Sequence, residues 1–312
     1  MEKAIISDWQ AENAELFGKR DLMLHHRLNE TGLFTREALA ELINKYPNEM
    51  YNLSTMGYDP MNPVWREGTI GDLNGKQVIE AIERGRMWLN LRSLELFDDR
   101  YASVLTKIFE DFEDWVPGFS SFRRKFGVLI SSPLVQVFYH ADVPGQALWQ
   151  LEGEKRVYVY PNEAPYLKPV DLEGIITGMT EEEIPYEQKF DEAARIYDLK
   201  PGEMVHWPLN CPHRVENKDC LNISVTTEHW TSDIRKSYAV NYANGVLRNK
   251  FGFQNLSQNR DDYSVYPKAA LTMMWRKLDL NSKDKVVRMI DFRVDPESDI
   301  GMMDVPAFAK GA

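Results

Sequence analysis

The sequence predicts a mainly β fold, an antiparallel barrel or sandwich set between helical segments at both ends. Three observations predict it. Between about residue 126 and Trp230, short runs rich in β-branched and aromatic residues follow one another across Gly and Pro turns. Before that stretch, and again after Trp230, apolar residues recur at helical spacing. A hydrophobic fraction of 43% and an aromatic fraction of 12% in 312 residues are those of a chain that buries a sizeable core.

The first 120 or so residues read mostly as helices. In "FTREALAELINKYP", Thr35 caps a helix whose apolar stripe is Ala38, Leu39, Leu42, Ile43 and Tyr46, and Pro47 stops it. "NGKQVIEAIERG" repeats the pattern with Val78, Ile79 and Ile82 and closes at Gly85. "MWLNLRS" reads as a strand. "DDRYASVLTKIFEDFEDWVPG" is a third helix, with Tyr101, Val104, Leu105, Ile108, Phe112 and Trp115 on its buried side.

The period then changes to that of strands: "FGVLISS", "LVQVFYHAD", "ALWQL", "KRVYVYP", "EMVHWP" and "LNISVTTEHW". Among them, 163–198 is a long acidic insertion containing "TEEEIPYEQKFDEAARIYD", and its length suggests a functional lid. After Trp230, "DIRKSYAVNYANGVLRNKFG" and "YPKAALTMMWRKLDL" are helices. A stripe of Leu271, Met273, Met274 and Trp275 on the latter reads as core or as a subunit contact. The expected division is therefore 1–120 helical, 121–232 the β core with its insertion, and 233–312 a helical extension.

Composition excludes several functions. The formal charge is −11, and no cluster of Lys and Arg advertises a nucleic-acid face, so direct nucleic-acid binding is not expected. No apolar run approaches the roughly 18 residues of a membrane span. The opening "MEKAIISDWQAENAELFGKR" lacks the basic-then-apolar layout of a secretion signal, which makes a cytoplasmic location the expectation. Cys211 and Cys220 exclude a disulfide framework by number and read as inert thiols.

The chemistry-bearing residues begin at "FYHADVPGQALWQLEGEKRVYVYP". Side chains at i and i+2 of a strand share a face, so His140 and Asp142 aim an imidazole and a carboxylate at one spot. Alone, that pair also describes a core histidine beside a surface carboxylate. "LKPGEMVHWPLNCPHRVEN" supplies the other half. A Pro-Gly turn, a short strand and a Pro-flanked turn deliver His213 back across a barrel. Two histidines and one carboxylate make the facial triad of non-haem Fe(II) oxygenases, which leaves coordination positions open for water, co-substrate and O₂. Lys155 opens the strand after the "EGE" turn. Buried there, its ammonium needs an anion, and the far carboxylate of a bound dicarboxylic acid would supply one. His206 and His229 read as packing or polar support, His25 and His26 as solvated. Tyr158 and Trp149 read as pocket walls or plain core.

These two motif stretches resemble the JmjC/cupin-like Fe(II)- and 2-oxoglutarate-dependent oxygenases, in particular the branch that includes the asparaginyl hydroxylase of hypoxia-inducible factor. The resemblance rests on the His-x-Asp strand, the "QLEGEKR" turn and the Pro-Gly strand leading to the distal His, about 100 residues in all. It implies a double-stranded β-helix (jelly-roll) core with an N-terminal helical layer and a C-terminal helical extension. It implies His140, Asp142 and His213 as iron ligands and Lys155 as the 2-oxoglutarate anchor. Where that branch has a hydroxyl residue three before the first ligand, this chain has Val137. Where it has asparagines beside the co-substrate, this chain has Gln146 and Glu228. Gln146 and the hydroxyl of Thr226 or Thr227 are the substitutes within reach. The implied reaction is hydroxylation of a C–H bond, in a protein side chain or a small molecule, coupled to decarboxylation of 2-oxoglutarate to succinate. The acidic surface suggests a basic protein segment or a small molecule as substrate. Pairing of C-terminal helices makes a homodimer the expectation, through the stripe at 266–280. A metal-binding or regulatory protein without turnover, and a metal-dependent enzyme that does not use 2-oxoglutarate, are the alternatives.

Overall fold

Successive strands of the β core cross from one sheet to the other, and this alternation defines the architecture of the computed structural model. The structure describes residues 3–57, 59, 61, 64–180, 184–280 and 289–309. Parts of the predicted insertion (181–183) and of the predicted C-terminal extension (281–288 and 310–312) lie outside the described residues.

In chain order the elements are α1 (Ala11–Leu16), β1 (Leu22–His25), α2 (Arg36–Ile43), β2 (Tyr51–Thr55), β3 (Arg66–Thr69), α3 (Gly75–Arg84), β4 (Trp88–Leu91) and α4 (Asp99–Trp115). The core follows as β5 (Phe122–Ser131), β6 (Gln136–His140), β7 (Gly145–Glu152), β8 (Lys155–Val159), α5 (Pro169–Thr177), β9 (Arg195–Leu199), β10 (Glu203–His206), β11 (His213–Asn217) and β12 (Asn222–Trp230). The chain then runs through α6 (Ser232–Phe251), α7 (Val265–Lys277), β13 (Met289–Val294) and β14 (Met302–Ala309). Strands β10, β7, β12 and β5 are neighbours in a ten-stranded sheet, and β6, β11, β8 and β9 form a four-stranded one. Apart from the β8–β9 pair, strands consecutive in sequence thus lie in opposite sheets, which is the double-stranded β-helix.

Several helices start at side-chain caps, of which Thr35 is the one read in the sequence. The Thr35 hydroxyl accepts from the Ala38 amide, Asn74 and Gln77 form a capping box, and Thr231 caps the long α6. Leu39, Leu42, Val78, Ile82, Leu105 and Ile108 pack against the outer face of the large sheet, contributed by Phe126, Val128, Ile130, Trp149, Ile223 and Val225. This is the main core, and it leaves the inner face of the same strands free to line the cavity.

Several expectations need correction. The N-terminal region is not only helical, because β1–β4 extend the large sheet on both sides of the barrel strands. β4 is the strand read in "MWLNLRS", whereas β1, β2 and β3 are segments of four or five residues, too short for a period of two to show in sequence. The C-terminal extension is not only helical either: β13 runs parallel to β3, and β14 closes the sheet. Residues 195–198, the end of the predicted insertion, belong to the barrel in β9, an edge strand whose Arg195 and Asp198 make it read as loop. The rest of the insertion is not a loose lid. On α5, Glu173 is fully buried and bonds Arg248 of α6 at 2.7 Å. Arg214 of β11 reaches Asp191 at 2.8 Å and Tyr160 at 2.8 Å. The insertion is clamped over the outer face of the small sheet.

Candidate active site

A β-bulge sets the first half of the site. On the β6–β11 ladder Val137 pairs with Val215 and His140 with His213, so three residues on β6 span two on β11. The extra residue keeps both Val137 and His140 on the inner face, which regular alternation would forbid. His213 opens β11, opposite Val159 of β8. Asp142 lies in the turn beyond β6, and the Asn210 side chain donates to its carbonyl oxygen at 2.6 Å.

The three groups converge. One ligand atom from each of His140, Asp142 and His213 lies within 4.8 Å of the other two. His213 Nε2 is 3.3 Å from Asp142 Oδ2, and the two imidazole centroids are 4.1 Å apart. Donors held about 2.1 Å from one ion at right angles are about 3 Å apart, so the spacing fits three adjacent corners of an octahedron. Each ring is oriented through its other nitrogen. Nδ1 of His140 meets the Phe138 carbonyl at 2.7 Å, and Nδ1 of His213 meets the Cys211 carbonyl at 3.1 Å. A carbonyl only accepts, so each Nδ1 carries the proton and each Nε2 keeps a lone pair for the centre of the site. Burial, and then the neighbouring His213, push His140 down to about 4, which keeps it neutral. Burial opposes ionisation of Asp142, but the adjoining His213 and then His140 hold it below the usual carboxylate range. Trp207 packs on the His213 ring at 4.5 Å and closes one side.

Lys155 faces the same interior as Val157 and Val159, four residues from the partner of His213, or about 13 Å along the strand. It is 3% exposed, and burial pushes its ammonium down to about 7. Among the described residues no hydrogen bond or ion pair engages it. An ammonium buried without a partner is costly, and an anionic ligand would offset that cost.

The remaining predicted residues divide by face. Glu228 pairs across the sheet with Gln146 on one side and Lys125 on the other, and Lys125 Nζ lies 3.7 Å from its Oε2. Its carboxyl is pushed up by burial and by the charge of Asp142, against the pull of Lys125. It therefore faces inward. Thr226 shares that face. A Cβ added at Gly127 would stand 2.7 Å from Thr226 Oγ1 and 3.4 Å from Asn90 Oδ1, so the glycine makes room for two polar groups inside the barrel. Thr227 faces the outer core and accepts from Trp149 Nε1 at 3.0 Å. Trp149 is thus core, and Tyr158 lies outside the barrel under Arg214, 3.4 Å from its ring. Neither is a pocket wall. His206 stacks on Phe17 at 4.4 Å and bonds the Gln146 carbonyl, while His229 packs against Phe109 and Phe119. Neither reaches the triad. His25 is exposed beside Asp8, but His26, expected in solvent, is buried and meets the Gln150 carbonyl at 3.0 Å.

Asn90, Trp207 and Asn210 were not singled out from sequence. Asn210 carried a signal, as a polar residue inside the Pro-flanked turn before His213. At the mouth of the barrel lies a cleft of about 790 Å³. Its walls include Phe17, Phe119, Leu167, Trp207, Asn210 and Ile234. It borders the surroundings of the site at Trp207 and Asn210, and residues of the insertion between 163 and 172 form one wall.

No family model matches the chain, and no curated protein matches it. Among solved structures it is similar to the ribosomal oxygenase YcfD of Escherichia coli, at 16% identity and a TM-score of 0.48 over 91% of this chain and 69% of that one. A structure of the same protein with cobalt and 2-oxoglutarate gives 15% identity and a TM-score of 0.46, over 85% and 64%. The non-heme α-ketoglutarate-dependent epimerase SnoN from nogalamycin biosynthesis gives 13% identity and a TM-score of 0.41, over 72% and 83%. At such identities and scores these likenesses carry no weight for function, which rests on the geometry of the site.

Proposed function

We propose that the protein is an Fe(II)- and 2-oxoglutarate-dependent oxygenase that hydroxylates a C–H bond. One observation carries the reading: a largely buried two-histidine, one-carboxylate cluster lies on the same inner face of the small sheet as a buried lysine that has no counter-ion among the described residues. The donor set suits Fe(II), because neutral imidazoles and one carboxylate leave an open face. Iron there would supply activation of O₂ coupled to oxidative decarboxylation of the diacid.

The chain's own residues then have definite tasks. His140 and His213 present Nε2, and Asp142 presents Oδ2. Lys155 binds the far carboxylate, with Thr226 and Asn90 as neighbouring polar groups and Gln146 near the metal end. Trp207 and the apolar walls exclude water. Cys211 and Cys220 are unpaired, which fits a reducing, cytoplasmic setting. No helix among the described residues is long and apolar enough to cross a membrane. A homodimer would join through Met274 of α7 and Leu278 just beyond its end, both exposed apolar side chains.

The test is anaerobic loading with Fe(II), addition of 2-oxoglutarate and O₂, and measurement of succinate. Turnover supports the reading; none from a protein that holds both metal and diacid would establish a binding module instead, the alternative that the inward Glu228 favours. Retention of diacid affinity in Lys155→Glu would point to metal chemistry without this co-substrate.

A further inference from the structure

A second groove, of about 950 Å³, lies beside the start of β5 between α6 and α7. Four guanidiniums stand around it: Arg123, Arg235, Arg260 and Arg276. All four are exposed, and among the described residues none forms an ion pair with a carboxylate. Arg235 lies over Phe122 at 5.8 Å and Arg276 over Tyr238 at 5.4 Å, so two of them are oriented by aromatic rings and left free to bind. Tyr263 and Tyr266 are 89% and 71% exposed on the rim, and Val265, Ala269 and Met273 form an apolar floor. Such a concentration of unpaired cations is unexpected on a chain of net charge −11. Arg260 also lines the cleft at the barrel mouth, so the groove and the cleft are neighbours.

We infer that this groove docks an acidic, extended polypeptide segment of a partner protein. Carboxylates match guanidiniums in paired, planar hydrogen bonds, and intervening apolar or aromatic side chains fit the floor and rim. A nucleic acid fits less well. It carries a charge on every residue, and the chain's overall negative field opposes its approach. Asp261 and Asp262 also stand on the same rim. That a docked segment feeds the barrel mouth rests on the oxygenase reading; the docking itself does not.

The test uses the full chain without metal, so that failure of oxygenase activity does not affect it. A fluorescein-labelled peptide alternating glutamate with tyrosine and leucine is titrated by anisotropy against its lysine-for-glutamate counterpart and against oligouridylate. Saturable binding of the acidic peptide alone is expected. Arg235→Glu with Arg276→Glu should weaken it roughly tenfold or more, consistent with the loss of charged pairs. Arg123→Glu, at an exposed site with no packing to disturb, should weaken it in the same direction. Equal binding of the basic peptide, tighter binding of oligouridylate, or indifference to both charge reversals overturns the inference. So does a dimer in solution whose contact covers Tyr266 and Met273.

Discussion

Asn210 donates from Nδ2 to the carbonyl oxygen of Asp142 at 2.6 Å, tying the turn before β11 to the turn after β6. Its own backbone sits at φ +59°, a left-handed conformation that asparagine tolerates better than most residues. Two segments far apart in sequence, each carrying part of the triad, are therefore fastened by a bond that no ligand makes. Asn210→Gly keeps the backbone conformation and removes the tether. Metal affinity should fall roughly tenfold, the scale of lost outer-shell support, while the melting temperature changes little. Anaerobic titration with Fe(II) or Mn(II) checks this, and unchanged affinity would show the tether to be idle.

The buried ammonium of Lys155 gives a pH-dependent prediction. Its pKa in the folded, unliganded chain is about 7, against an ordinary value of 10.5. Between those values the unfolded chain holds a proton that the folded chain lacks, so stability rises with pH across that window and is lowest below it. A bound dicarboxylate restores the charge. Binding near pH 8.5 should thus take up most of one proton, and binding near pH 6 almost none. Calorimetry in buffers of different ionisation enthalpy measures that number. Lys155→Met should melt at a higher temperature than the unliganded parent and lose diacid affinity, because it removes an uncompensated buried charge.

The elements legible in sequence were those with a local cause. Thr35 caps α2, and apolar stripes bury α2, α3 and α4 as their spacing dictates. The meeting of His140, Asp142 and His213 was legible from the two motifs, although Asp142 lies in the turn beyond β6 and not on the strand whose period was used to place it. What was not legible is set by partners distant in sequence. The bulge that turns Val137 inward exists only on the ladder with β11. β9 is a strand because β8 offers it an edge, not because its residues alternate. His26 looked solvated beside His25, but Gly202, Gln150 and Leu28 enclose it.

Gly127 is the closest approach inside the barrel. An added Cβ would stand 2.7 Å from Thr226 Oγ1, a distance that real Cβ contacts do not reach, so the threonine must move. Gly127→Ala should cost about 1–3 kcal/mol of stability by overpacking. Because Thr226 lies away from the triad, metal affinity should hold while 2-oxoglutarate affinity falls. Parallel titrations with Mn(II) and with 2-oxoglutarate separate the two effects. If both affinities survive, the co-substrate pocket lies elsewhere in the cavity.

Glu228 presents the remaining charge to the interior, between Gln146 and Lys125. Burial and then Asp142 hold its carboxyl above the ordinary range, with Lys125 opposing, so it loses its charge at a higher pH than a solvated glutamate does. While ionised, it repels an incoming dicarboxylate. Glu228→Gln keeps the shape and removes the charge, and one partly screened like-charge contact is worth about 1 kcal/mol, or roughly fivefold in affinity. The variant should therefore bind 2-oxoglutarate several-fold more tightly than the parent near pH 8. The advantage should shrink as pH falls and the parent's own carboxyl takes up its proton. Taking the ratio of variant to parent at each pH, with Mn(II) bound in both, cancels the separate titration of Lys155. Weaker binding by the variant at every pH would instead mean that Glu228 serves to hold Lys125, whose ammonium it meets at 3.7 Å.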